Sequence, residues 1–407
     1  MKFILIILTF ILSFSGTASV WDAQRNWNEN DLISFSEWIR SESYNPLIFS
    51  SPTGAYFGTK TDCADAIIAA KVIYAFENGL NFKLKTSSYN SDIITNKTPL
   101  FDFLDNPHER VIAFIHYLGE SIGTEALARF NSYPVDPREI RPSDFYVSRW
   151  KTNGEFVRHA YMIKDVLPTG HLKLYSSTTP VKVRELEVRE GMPLHILSGR
   201  PWGFKRFLPL EISFETPIDS SDKQYEMLEQ YGDDHFFSRV VDELKTEEDT
   251  LDSNLKRRVK NLCSQLKLRK REIDFTQTYL EENSYRCMSY DEYNEHSTPS
   301  RDQSLQNGIK RLLYGWKKIR TSSYTQSISS EVVLALDYLL RKNTSLQAYE
   351  SLNNLCSINL TLNGTTGQFN LKHFFDLKLK SKLSYHPNDS YEMRWGLEGK
   401  KTHCSSF

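Results

Sequence analysis

The spacing of apolar residues changes twice along the chain, and this change constrains the fold more than any other feature. Helical patterns cover residues 26–44, 62–78 and 107–130, whereas residues 144–177 cluster β-forming residues around a Pro and Gly turn. Further alternation predicts strands within residues 181–212, and long charged amphipathic patterns follow. We therefore expect an α+β domain followed by a mainly α-helical C-terminal region.

The first residues have the layout of a secretory signal peptide. One lysine precedes an apolar run over residues 3–14, and small residues follow around Gly16. We expect cleavage after Ala18 or Ser19, which gives a signal peptide of residues 1–19. The run is shorter than the roughly 20 apolar residues of a membrane helix, so we expect a secreted or periplasmic protein with no transmembrane segment after cleavage. An uncleaved N-terminal anchor is the alternative.

A polar stretch indicates where the two regions meet. We place the boundary near residue 225, between a domain of residues 20–225 and a region of residues 226–407. Lysine and arginine number 50 against 51 aspartate and glutamate residues, so overall charge gives no reason to expect a nucleic-acid partner. We interpret the basic run KLRKRE (267–272) as a solvated helix face.

The five cysteines are unevenly distributed. Cys63 stands alone in the first half of the chain, and the other four lie in the helical region: Cys263, Cys287, Cys356 and Cys404. An odd number leaves at least one thiol without a partner in the molecule. The four can form two disulfide bonds in an oxidising compartment, with three possible pairings. The alternative is that they are free, buried thiols.

Cys63 is predicted to occupy the first turn of a buried helix. Thr61 or Asp62 can cap the helix formed by DCADAIIAAKVIYAFEN, and Asn78-Gly79 ends it. The unpaired amide groups and the positive end of the helix dipole favour an anion there, which lowers the pKa of a thiol. Cys63 is therefore the candidate nucleophile, and the alternative is a small buried core residue.

His159 is the leading candidate for the base that activates this thiol. It lies in the predicted strand FVRHAYMIKDV, where alternation places His159, Tyr161 and Ile163 on one face. A thiol on a helix against an imidazole on a strand is a known way to build an activated pair. His171 and His116 are the alternative bases, and a purely structural role is the other interpretation of His159.

A third group is expected to orient the imidazole. The turn at residues 168–170 brings the strand HLKLYSSTTP back beside the histidine strand, so Ser176 or Ser177 can reach the distal ring nitrogen. Asp165 has better chemistry for this role. It lies about 20 Å along an extended strand, so the strand would have to bend.

Metal and phosphate motifs are not found in the sequence, which contains no CxxC, HExxH or Walker-type loop. Asp62 and Asp65 flank Cys63, but acids at a helix start stabilise the dipole without a metal. We interpret the aromatic segments PWGFKRF (201–207) and MRWG (393–396) as core rather than as a binding groove. No cofactor and no metal are expected.

Three segments together resemble the papain-like cysteine hydrolases: TDCADAI at a helix start, RPSDFYV, and RHAYMI in a strand followed by a turn and another strand. The likeness is greatest to cell-wall peptidases of the NlpC type, and transglutaminase-like proteins share the order of Cys, His and a polar residue. It covers roughly residues 50–215. RPSDFYV resembles the Pro-Gly-Asp strand start of the NlpC type, with Ser143 where Gly is usual.

The resemblance implies a papain-like domain with Cys63 as nucleophile, His159 as base and Ser176 or Ser177 as the third group. It implies an exported cysteine peptidase or amidase that cleaves amide bonds, with peptides of cell-wall peptidoglycan as a candidate substrate. Cys63 would form an acyl-enzyme, and His159 would take and return the proton. Water as acceptor gives hydrolysis, and an amine gives transglutaminase-like crosslinking. The alternative is an envelope binding or scaffold protein that keeps the fold without turnover.

Overall fold

The structure is a computed structural model, and it contains helices and an antiparallel sheet. It describes residues 19–86, 92–152, 154–196, 198–209, 220–362 and 364–407. The signal peptide expected over residues 1–19 lies outside the described residues, apart from Ser19. Among the helices of the described chain, none combines the length and the apolar character needed to cross a membrane.

The helices and strands are numbered in chain order. The helices are α1 (Glu29–Arg40), α2 (Cys63–Glu77), α3 (Pro107–Ser121), α4 (Thr124–Phe130), α5 (Lys223–Tyr231), α6 (Asp233–Leu244), α7 (Leu251–Glu282), α8 (Tyr290–His296), α9 (Pro299–Ile319), α10 (Ser330–Leu339), α11 (Leu346–Leu355), α12 (Leu371–Leu379) and α13 (Tyr391–Arg394). The strands are β1 (Lys83–Lys85), β2 (Ile93–Thr95), β3 (Ser132–Pro134), β4 (Phe145–Thr152), β5 (Glu155–Val166), β6 (Leu172–Ser176), β7 (Glu187–Gly191), β8 (Gly203–Phe207), β9 (Ser357–Leu362) and β10 (Thr365–Asn370).

Helix α2 runs through the centre of the first part of the chain. It begins at Cys63 with Asp62 as N-cap, as predicted, and every residue from Cys63 to Ala75 is buried. The single helical stretch expected over residues 107–130 is wrong in one respect, because the chain breaks between α3 and α4. Extended Ile122 is the C-cap of α3, and extended Gly123 is the N-cap of α4.

The main sheet confirms the antiparallel strands predicted from alternation. Its order in the described residues is β3-β8-β4-β5-β6-β7, and neighbouring strands are antiparallel. Among the described residues of 181–212, β7 and β8 are the strands of this sheet. Pro193 and Pro201 lie between them, and proline cannot donate to a strand ladder. The chain between β7 and β8 is therefore irregular and runs past the sheet as a loop.

The segment that leads into β4 is held by a strained serine and a buried ion pair. Ser143 has a φ of 76°, in the left-handed region, and its N–H donates to the Ile163 carbonyl at 3.1 Å. Asp144 is fully buried and accepts from Arg206 Nε at 2.7 Å. Trp202 is fully buried as well, so the aromatic segment around it belongs to the core, as expected.

The described residues form two hydrophobic clusters. The first contains buried residues from Val20 to Val240, and the second those from Leu255 to Trp395. Helices α5 and α6 contribute to the first cluster. The proposed boundary near residue 225 stays a prediction, and in the structure the longest helix, α7, begins where the first cluster ends.

The basic run in α7 is only partly solvated: Lys267 is exposed, but Arg269 and Glu272 are buried, so its interpretation as a solvated helix face is wrong for those two residues. Arg269 is 1 % exposed and donates to Asp302 at 2.7 Å. Arg271 forms an ion pair with Glu185, and Glu272 pairs with Lys182 at 2.7 Å. Periodicity cannot reveal this, because the partners lie on other elements that pack on α7.

The C-terminal region is mainly helical, as predicted, and also holds a hairpin of β9 and β10. Two cysteine pairs lie at disulfide distance there. Cys263 of α7 pairs with Cys356 at a Cα separation of 5.3 Å, and Cys287 pairs with Cys404 at 5.4 Å. Cys63 is a free, buried cysteine.

Ser143→Gly is expected to stabilise the protein by about 1 kcal/mol in denaturant unfolding, because glycine adopts the left-handed conformation without the strain of a side chain. Ser143→Ala is the matched control, since alanine keeps that strain, and it should give no gain. Equal stabilities of the glycine and alanine variants would contradict this account.

Peptide mapping of the unreduced protein by mass spectrometry should recover Cys263 linked to Cys356 and Cys287 linked to Cys404, with Cys63 as an unlinked thiol. The structure selects this one of the three pairings that the sequence allows. A peptide that links Cys63 to any other cysteine, or an exchanged pairing, would show that the arrangement is incorrect.

Candidate active site

Cys63 is fixed by the capping of α2. The Asp62 side chain accepts from the N–H groups of Ala64 at 2.9 Å and Asp65 at 3.0 Å, and Asp65 accepts from the N–H of Asp62 at 2.9 Å. These bonds form a capping box, which gives amide groups at the start of the helix hydrogen-bond partners within the protein. The N–H of Cys63 itself is not one of the groups that the capping box uses.

The chain just before α2 lies next to the sheet, close to the point where the pairing of β5 with β6 ends. The two strands pair between Val166 and Met162, and the chain after β6 then leaves β5. Thr61 occupies the opening and donates from its N–H to the Lys182 carbonyl at 3.1 Å. The N–H of Ala160, on the unpaired side of β5, donates to Cys63 Sγ. The thiol therefore lies against the backbone of the histidine strand.

Cys63 and His159 line the same cavity, of about 310 Å³. Side chains from β4 to β7 form its floor, and they include Trp150, Tyr161 and Arg189. Helix α7 of the second cluster also lines the cavity, with Asn261, Ser264, Gln265 and Leu268. The predicted nucleophile and the predicted base thus line one cavity.

The protonation states differ from the sequence expectation. Burial raises the pKa of the Cys63 thiol to about 12, and the nearby Asp62 carboxylate adds to this. Burial lowers the pKa of His159 to about 4, and the charge of His195 acts in the same direction. The helix dipole does not outweigh burial here. At neutral pH the site therefore holds a neutral thiol and a neutral imidazole.

The His159 ring contacts an aromatic side chain. Its centroid lies 4.5 Å from that of Tyr161 in an edge-on arrangement. Within the described residues, no hydrogen bond joins the ring of His159 to Cys63. Cys63 Sγ instead contacts Thr124 Oγ1 at 3.6 Å. Thr124 is the first residue of α4, and it gave no signal in the sequence.

The two candidate orienting serines have different surroundings. Ser177 donates to the Thr61 carbonyl at 3.0 Å and accepts from Thr61 Oγ1 at 3.1 Å, so it braces the approach to α2 rather than the imidazole. Ser176 lines the cavity, and it is the cross-strand partner of Glu187 on β7. Asp165 pairs with Arg40 at 3.0 Å, away from the cavity.

The alternative bases do not line the cavity. His116 Nε2 accepts from the Lys60 N–H at 2.9 Å, and His171 contacts Arg257 at 3.2 Å. A different histidine, His195, does line it and stacks on Trp150 with centroids 3.7 Å apart. Tyr146 holds this segment by donating to the His195 carbonyl at 2.9 Å. No periodicity could have identified His195, because it lies in the irregular loop between β7 and β8.

One group of side chains in the described residues could in principle hold a metal ion. Cys287, His403 and Cys404 lie close together on the surface of the second region. Cys287 and Cys404 are joined in a disulfide, which removes the thiolates that a metal would need. Asp62 and Asp65 have the capping role that the sequence indicated.

Comparisons with protein-family models, with curated proteins and with solved structures find no match for this chain.

Iodoacetamide labelling of Cys63 in the folded protein is expected to be slow at pH 6 and to increase only in strongly alkaline solution, because burial and Asp62 raise the thiol pKa. Asp62→Asn is the informative variant. Asparagine keeps the N-cap but removes the charge, so labelling at pH 9 should become faster. Rapid labelling of the unmodified protein near pH 6 would contradict the raised pKa.

Proposed function

We propose that the protein is an exported cysteine hydrolase that acts on amide bonds, with peptides such as those of the cell wall as substrates. The observation that carries the proposal is the shared cavity of Cys63 and His159. The position of Cys63 at the first turn of a buried helix, against a strand that bears the histidine, supports the papain-like interpretation. Two disulfide pairs agree with an oxidising compartment.

The proposed reaction begins from a neutral pair. When a substrate carbonyl approaches, Cys63 Sγ attacks its carbon while His159 accepts the thiol proton, and the imidazolium then returns the proton to the leaving amine. Water subsequently cleaves the acyl-enzyme, or an amine takes its acyl group. The N–H of Cys63 lies outside the capping box, so it is the first candidate donor to the oxyanion.

The surroundings of Cys63 indicate why a substrate is needed for activation. A buried thiolate beside Asp62 is costly in the free protein, as the raised pKa records. When the substrate is bound, its carbonyl carbon accepts the sulfur electron pair as the proton leaves. The reaction therefore does not require a free thiolate beforehand. His159 is neutral above about pH 4 and is in the correct state to accept the proton.

A binding protein without turnover is the second candidate function. The observation that favours it is the same pair of pKa values, since the resting site contains no thiolate. The two functions differ in one respect: a hydrolase forms a covalent adduct on Cys63, whereas a binding protein holds its ligand without one. Intact-protein mass spectrometry distinguishes them.

Cys63→Ala is expected to abolish amide hydrolysis, and His159→Gln to reduce it by about 10²-fold or more, because general-base assistance contributes roughly that factor. Activity is measured as amine release from a peptide library, with the acyl-enzyme trapped at low pH. His171→Gln is the matched control and should retain activity, since its imidazole lies outside the cavity. Equal activity of Cys63→Ala and the unmodified protein would eliminate the proposal.

A further inference from the structure

The cavity that holds Cys63 contains an arginine with no acidic partner. Arg189 lies on β7, opposite Leu174 of β6, which in turn pairs with Ile163 of β5. Arg189 is therefore two strands away from the histidine strand, about 10 Å across the sheet. Its Nε donates to the Met192 carbonyl at 2.9 Å, which fixes the direction of the guanidinium.

The terminal nitrogens of Arg189 have no hydrogen-bond partner among the described residues. Burial lowers the pKa of Arg189, and Arg311 is a second cation close enough to lower it further, although Tyr161 opposes them. Arg269, by contrast, is paired with the Asp302 carboxylate at 2.7 Å. A largely desolvated guanidinium next to another cation favours the binding of an anion.

Neither acidic residue of β7 neutralises Arg189, and the adjacent Glu190 forms an ion pair with Lys260. Glu187 lies on the same face of β7, but its buried carboxylate interacts with Arg301 and Arg184. A second cation of the cavity, Arg158, is already paired with Glu125 at 2.7 Å. The positive charge of Arg189 is thus the one that faces the cavity without a described counter-ion.

Tyr161 connects this arginine to the reactive pair. Its ring contacts His159, and it is close enough to Arg189 and to Cys63 for the charge of each to act on its pKa. On α7, the Gln265 Oε1 atom is buried and has no hydrogen-bond partner in the described chain. The cavity that holds Cys63 and His159 is therefore also lined by a cation, Arg189, and by Gln265 with its unpartnered acceptor.

We propose that Arg189 binds a carboxylate of the substrate, so that the protein selects small peptides or acyl-amino acids that carry a free carboxylate near the amide bond. This inference rests on the proposed function of the Cys63 cavity. Gln265 accepts a hydrogen bond from a substrate N–H in the same complex. A cavity of about 310 Å³ is at the small end of ligand sites, roughly 300 to 1,000 Å³, so it takes a short substrate or the end of a longer one.

The test measures binding without requiring turnover. Acetyl-dialanine with a free carboxylate and its carboxamide are each added to the protein, and protection of Cys63 from iodoacetamide at pH 9 is followed by mass spectrometry. The carboxylate form should give half-protection at a concentration about tenfold or more lower than the carboxamide, since charge-assisted pairing to arginine is worth roughly that factor.

Variants identify the residue responsible for this preference. Arg189→Gln should lose the preference, Arg189→Lys should retain part of it, and Arg158→Gln should keep it because Arg158 is already neutralised. Equal protection by the two peptides, no protection by either, or a preference that survives in Arg189→Gln would each overturn the inference. Turnover of the same peptides is measured separately, so carboxylate-dependent protection without hydrolysis would reject the hydrolase and retain the carboxylate site.

Discussion

The reciprocal capping of α2 by Asp62 and Asp65 is the interaction on which the rest of the site depends. A helix that is buried along most of its length cannot use water to satisfy its first amide groups. Asp65 is accommodated because α3 presents Gly119 to it, where an added Cβ would come within 2.7 Å of the carboxylate oxygen. The same bonds that position Cys63 also place two carboxyl groups beside it, and burial raises the pKa of Asp65 as well.

The helix dipole and burial have opposite effects on the pKa of the Cys63 thiol, and their magnitudes show which effect is larger. A helix N-terminus stabilises an anion by roughly 0.3 to 1 kcal/mol, and by about 2 in favourable cases. A rise of the Cys63 pKa from an ordinary 9.0 to about 12 corresponds to about 4 kcal/mol against the thiolate. Burial therefore prevails in the free protein, and the position at a helix start does not by itself make a cysteine reactive.

Local patterns predicted the elements that carry Cys63 and His159. The capping sequence around Asp62 determines where α2 begins, and the alternation of β5 determines which residues share the face of His159. The start of α2 and the face of His159 both depend on residues that are close in the sequence, so local patterns are enough to predict them. The role of Ser177 could not be derived in this way, because its partner Thr61 is brought to it only when β6 and the start of α2 pack together.

Features that join distant parts of the chain could not be predicted from these patterns. The wall that α7 forms depends on how two hydrophobic clusters meet, and amphipathic periodicity shows only that α7 has a buried side. His195 gave no signal, because an irregular loop brings it to Trp150. Disulfide pairing also depends on the completed fold, since the spacing of four cysteines permits three arrangements.

The contacts that join α7 of the second region to the cavity fix the position of the helix but add little to the stability of the protein. Asn261 of α7 exchanges hydrogen bonds with the backbone of Glu190 on β7, at 2.6 and 2.9 Å. Arg301 and Lys182 lower the pKa of Glu272 to about 2 although burial opposes them, but such buried ion pairs add little net stability because desolvation offsets their attraction. Cys263, between the cavity residues Asn261 and Ser264, is tied by its disulfide to the end of α11. The part of α7 that lines the cavity is therefore held by β7 on one side and by the disulfide on the other.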